Sequence, residues 1–109
     1  MKTTLVSALA YALPALTILL GIPLMLEWVP PNRFYGYRTQ ATLASPELWY
    51  ATNRATGIAL LIAGALGLAG VVAIALLGAD WPEERRQTLA FCWQGICVLA
   101  AIAVVAVSV

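Results

Sequence analysis

The sequence predicts an all-α integral membrane protein with three transmembrane helices and a structured polar loop between helices 1 and 2. Three observations carry this. Three runs, Leu5–Leu26, Ala55–Ala79 and Thr88–Val109, contain no charged residue. At 1.5 Å per residue each covers roughly 30 Å or more, the thickness of the hydrocarbon core. The composition is 62% hydrophobic and only 10% charged over 109 residues, with mean hydropathy +0.89. A soluble domain of this length carries far more charge on its surface. No segment alternates apolar and polar residues as the strands of a membrane barrel do. Backbone polar groups in lipid must be satisfied within the segment, so the runs are read as helices.

The first helix is expected over about residues 4–28. Pro14 and Pro23 lie inside it, with Gly21 between them. Such prolines break a helix in water but are tolerated in a membrane, where they are expected to bend it. The start, Met1-Lys2-Thr3-Thr4, superficially suits a signal peptide. The apolar run is longer than an ordinary signal core, and Glu27-Trp28-Val29-Pro30-Pro31 follows where a small-residue cleavage site would stand, so an uncleaved helix is expected. The second helix is expected over about 46–78. Ser45 serves as N-cap, Pro46 stands at N1, and Glu47 complements the positive end of the dipole. Its length, ~50 Å if straight, exceeds the bilayer core, so the turns from Leu48 to Arg54 should project into the interface, where Trp49 and Tyr50 suit that depth. The third helix is expected over about 81–107, with Asp80 and Glu83 as a capping box after Gly78. The whole chain, 1–109, then forms one three-helix membrane domain.

Small residues mark packing on helix 2. Ala55, Ala59, Ala63 and Gly67 follow at i+4 steps, and Gly64, Gly67 and Gly70 add a second row. Small residues let helix backbones approach closely, so this face is expected to meet another helix. Cys92 and Cys97 stand about 140° apart on helix 3 and read as small apolar side chains.

The formal net charge of +1 argues against nucleic acid as a partner. With no histidine, imidazole catalysis and histidine metal sites are excluded, and nothing calls for a metal or a cofactor. Lys2, Arg85 and Arg86 on one side balance Arg33, Arg38 and Arg54 on the other, so positive charge does not orient the chain.

The chemistry-bearing residues concentrate in Asn32–Arg54. Trp49, Asn53, Thr56 and Gly57 share a helix face. Asn53 lies near the membrane boundary, where an amide without partners is costly. Arg38 presents a five-donor fork, Thr39 and Thr42 add hydroxyls, and Gly36 permits a tight turn between Tyr35 and Tyr37. Two readings compete. In one, the arginines are interfacial anchors on lipid phosphate. In the other, the segment folds back over the helix end as an ordered cap that binds a peptide or protein. Arg38 and Asn53 would then share one hydrogen-bonded site, with a threonine hydroxyl contributing and Trp49 as an apolar wall.

The order Pro31-Asn32 … Gly36-Tyr37-Arg38-Thr39-x-x-Thr42-Leu43 … Trp49 … Asn53-Arg54 … Gly57 resembles the signature of the SdpI family, named for a bacterial immunity protein that protects producers of a secreted peptide toxin. The signature covers about 25 residues, and the three-helix layout extends the likeness over the chain. The best-known member carries further helices before this unit, and in the family prototype toxin resistance is joined to signalling, with a repressor held at the membrane. The resemblance implies a multi-pass protein of the bacterial cell membrane. It matches Asn32, Gly36, Arg38, Thr39, Thr42, Trp49 and Asn53 to the family motif without assigning their roles.

Three function classes follow. The first is a binding module in immunity or signalling acting through Asn32, Gly36, Arg38, Thr39, Thr42, Trp49, Asn53 and Arg54. Its expected partners are membrane lipid, a peptide toxin, a regulatory membrane protein or a second copy of the chain. The second is an accessory subunit packing through the Ala55, Ala59, Ala63, Gly67 ridge. The third is a small membrane enzyme. Its candidates reduce to Glu27, Glu47, Arg38, Thr39, Thr42, Ser45 and Cys92, among which no nucleophile–base spacing is readable.

Overall fold

The computed structural model describes residues 2–108. Four helices occur among them: α1 (Lys2–Met25), α2 (Gln40–Ala44), α3 (Pro46–Leu77) and α4 (Glu83–Ser108). α1, α3 and α4 are each long and apolar enough to cross a membrane. The protein is a multi-pass, all-α membrane protein. Its long axis measures 52 Å, so both ends reach past a hydrocarbon core of about 30 Å.

α3 is the central helix. It packs along both α1 and α4, which touch each other little. Glycines set the α1–α3 approach. A Cβ on Gly57 would lie 2.5 Å from the Gly21 carbonyl oxygen, and one on Gly64 would lie 2.8 Å from that of Pro14. α1 runs without a break through Pro14 and Pro23. Toward α4, Gly67 makes room for Gln94 and Gly70 for Trp93, whose indole N–H donates to the Leu66 carbonyl at 2.9 Å. The small residues of α3 thus serve two neighbours. Of the expected ridge, Ala63 and Gly67 are buried, Ala59 is half-buried beside Ala101 and Val105 of α4, and Ala55 is exposed. Cys92 is exposed and Cys97 buried, both as free thiols.

The helix ends differ from expectation where local bonding decides them. α1 stops at Met25, three residues before the expected Trp28. Glu27 takes φ 60°, its N–H donates to the Leu24 carbonyl, and the Trp28 N–H reaches back to Pro23. This is a Schellman turn with glutamate where glycine is usual. α3 begins as expected: Ser45 Oγ accepts from the Leu48 N–H at 3.3 Å and Pro46 opens the helix. At α4 the expected capping box gives way to a different start. The Pro82 carbonyl accepts from the Arg85 and Arg86 N–H groups, and Glu83 turns to Ser7 of α1. A tertiary partner has outcompeted the local cap.

Candidate functional site

Residues 26–45 fold into a cap over the junction of α1 and α3. An irregular backbone at a membrane boundary needs partners for its N–H and C=O groups, and here side chains supply them. Asn32 organises the first turn. Its Oδ1 accepts from the Phe34 and Tyr35 N–H groups at 2.8 and 2.7 Å, and its Nδ2 donates to the Pro30 and Tyr35 carbonyls. The Tyr35 hydroxyl donates to the Leu20 carbonyl and ties the turn to α1. Partial burial pushes that phenol above its usual range.

Gly36 follows at φ +121°, a conformation L side chains rarely adopt. A Cβ there would also meet Asn53 Oδ1 at 2.8 Å and the Trp49 ring at 3.0 Å. Gly36 therefore brings the loop backbone flat against α3. Asn53, 2% exposed, holds both backbone groups of the next residue: its Oδ1 accepts from the Tyr37 N–H at 2.6 Å, and its Nδ2 faces the Tyr37 carbonyl at 3.4 Å. The same Nδ2 donates to Trp49 O at 3.0 Å. Trp49 is fully buried, and its indole N–H donates to the Val29 carbonyl at 2.8 Å, holding the outgoing end of α1.

Thr42 completes the lock. It is fully buried on α2, accepts from the Thr39 N–H at 2.8 Å, and lies 3.1 Å from the Tyr37 carbonyl as donor. Thr39 Oγ1 accepts from the Thr42 N–H at 3.1 Å, a reciprocal capping box that starts α2. Sequence reasoning took these two threonines as hydroxyl donors and missed the helix. The T-x-x-T spacing was the signal for it. Tyr37, the hub of the network, was missed because its backbone, not its side chain, does the bonding. The hub also touches the bundle: Tyr37 shares a void of about 20 Å³ with Thr56, Ala59 and Val105.

The structure brings Gly36, Thr39, Thr42, Trp49 and Asn53 into one network. The Arg38 guanidinium does not join it. That side chain is exposed and donates through Nη1 to the Arg33 carbonyl, because the buried partners near Asn53 are already taken by backbone groups. Arg54 is exposed as well. The outer surface of the cap accordingly presents Arg33, Arg38 and Phe34, the last 91% exposed, with Trp28 at its edge. Three arginines against Glu27 and Glu47 make this end mildly cationic. The arrangement holds no nucleophile beside a base. It is a hydrogen-bonded scaffold with cationic and aromatic groups outside.

No curated protein and no solved structure matches the chain. The SdpI/YfhL protein family model matches residues 29–109, from within the cap through α3 and α4, with α1 preceding it. The residues that build the cap network lie inside that match, which covers well over half the chain, and the protein belongs to the SdpI/YfhL family.

Proposed function

We propose that this protein is an SdpI-like binding module in toxin immunity or its signalling, and that the cap recognises a peptide or a membrane protein partner. The observation that supports this is the pre-ordered cap: Trp49, Thr42 and Asn53 are buried and hold the backbone at Gly36–Tyr37 from the inside. A simple lipid anchor needs no such scaffold. Pre-ordering a loop lowers the entropic cost of binding. Phe34 and Arg38 on the outside then make the contacts, while the buried residues position them. The accessory-subunit reading finds less support, since Gly57, Gly64, Gly67 and Gly70 of α3 are already covered by α1 or α4.

The test separates surface from scaffold in a host challenged with a secreted peptide toxin. Arg38→Lys removes the planar fork and keeps the charge, and is expected to lose protection while thermal stability holds. Arg33→Lys is expected to keep both. Asn53→Ala, which strips the Tyr37 N–H of its partner, is expected to lose protection and to destabilise the cap by about 2–3 kcal/mol. Equal tolerance of lysine at 33 and 38 returns the arginines to the role of phosphate anchors.

A further inference from the structure

The end of the bundle away from the cap holds a second polar site. A cavity of about 200 Å³ opens between the first turns of α1 and α4 and the last turns of α3. Its polar wall is Ser7, Glu83, Arg86 and Gln87, all half-buried, and its apolar wall includes Val71 and Ile74. Ser7 Oγ donates to Glu83 Oε1 at 3.3 Å, and Gln87 Nε2 lies 3.4 Å from the same oxygen and 3.5 Å from Ser7 Oγ. Both donors address Oε1. A carboxylate has a second oxygen to offer an incoming N–H group. Arg86 lines the same cavity and brings donors suited to phosphate.

We propose that this cavity binds the head group of a phospholipid bearing a primary ammonium and a phosphate, the ammonium on Glu83 and the phosphate on Arg86. One negative and one positive group in a single cavity complement a zwitterion. An anionic head group would face Glu83 without a cation to offer it, and a lone cation would face Arg86. The depth fits a lipid rather than a soluble zwitterion. The first span begins at Leu5, two residues before Ser7, and the second ends at Leu77, so the cavity sits where head groups meet hydrocarbon. Val71 and Ile74 supply the apolar surface below the charges. The neighbours Glu84 and Arg85 carry the same charges but are exposed, Arg85 lying over the Trp81 ring, so general surface charge can be separated from the cavity.

The experiment uses the full chain in detergent, stripped of lipid, then supplied with phosphatidylethanolamine, phosphatidylcholine or phosphatidylglycerol. Lipid retained is read by native mass spectrometry and stabilisation by the melting midpoint. Phosphatidylcholine has the same charges but no ammonium N–H, and phosphatidylglycerol has no cation. Phosphatidylethanolamine is expected to be retained roughly tenfold better than either, the factor one charged hydrogen bond supplies. Glu83→Gln is expected to erase the preference over phosphatidylcholine, and Arg86→Gln to weaken retention of both zwitterionic lipids. Glu84→Gln and Arg85→Gln are expected to change neither. Equal or better retention of phosphatidylglycerol overturns the proposal, as does an unchanged preference in Glu83→Gln. Soluble glycerophosphoethanolamine matching the lipid would place the ligand in solution and overturn it too.

Discussion

The cap and the bundle below it are held by opposite means. In the bundle each helix satisfies its own backbone, so assembly needs only close approach, and glycines provide it: Gly21 against Gly57, Gly64 against the Pro14 carbonyl. In the cap the backbone is irregular, and Asn32, Thr42, Trp49 and Asn53 supply the partners it lacks. Near lipid an unpaired peptide group costs far more than a missed packing contact. The polar side chains therefore gather where regular structure stops. Gln94 marks the contrast from the other side. It is a buried amide within α4, its Nε2 3.3 Å from Thr17 Oγ1, and its Oε1 is directed at the space a side chain on Gly67 would fill.

If this contrast is right, damage to the cap stays local and damage to a glycine contact spreads through the bundle. Trp49→Ala should have the largest effect, about 3–5 kcal/mol, because it empties a fully buried site and frees the Val29 carbonyl. Its signature is fast trypsin cleavage after Arg33 and Arg38 while helical circular dichroism persists at low temperature. Cleavage no faster than in the parent chain would mean that the cap does not depend on this side chain. Gly64→Ala should cost about 1–3 kcal/mol, because the new methyl meets the Pro14 carbonyl, a backbone group that cannot swing aside. Here the melting midpoint should fall with little change in cap proteolysis below the transition. A variant that opened the cap and left the midpoint alone would reverse the comparison.

The smallest effect sharpens the boundary between the two regions. Glu27 closes α1 at φ 60°, which costs a non-glycine residue about 1–2 kcal/mol. Glu27→Gly relieves that strain but adds about 0.4–1 kcal/mol of unfolded-chain entropy. A net rise in stability of at most about 1.5 kcal/mol is expected, visible as a small upward shift of the melting midpoint. A fall would mean that the Glu27 side chain contributes more than its backbone costs.

Several features of the candidate site were legible in advance because they depend on residues close in sequence. Ser45 and Pro46 begin α3 through bonds within one turn. Trp49 and Asn53 share a face by helical period alone, and both end buried against the loop. Gly36 announces a turn, and its positive φ answers that. Arg38 was the misreading. Its five-donor fork and a loop long enough to fold back over the helix end suggested a site shared with Asn53, yet the guanidinium lies outside the network. The donors that Asn53 and Thr42 require come from peptide groups, which every residue carries and no sequence pattern advertises.

By itself the sequence determined the class of the protein and its spans, since uncharged runs of membrane length leave the backbone no partners but its own. It also determined the family, through residues clustered in one loop and the helix that follows. Only the tertiary structure decided which helix each glycine of α3 meets, that Glu83 leaves its local cap for Ser7, and that the Tyr37 peptide rather than the Arg38 fork sits at the heart of the cap. The physical reason is range. Helical hydrogen bonds close within four residues and can be read along the chain. The partners of a side chain across 16 or 76 positions exist only once the helices have docked.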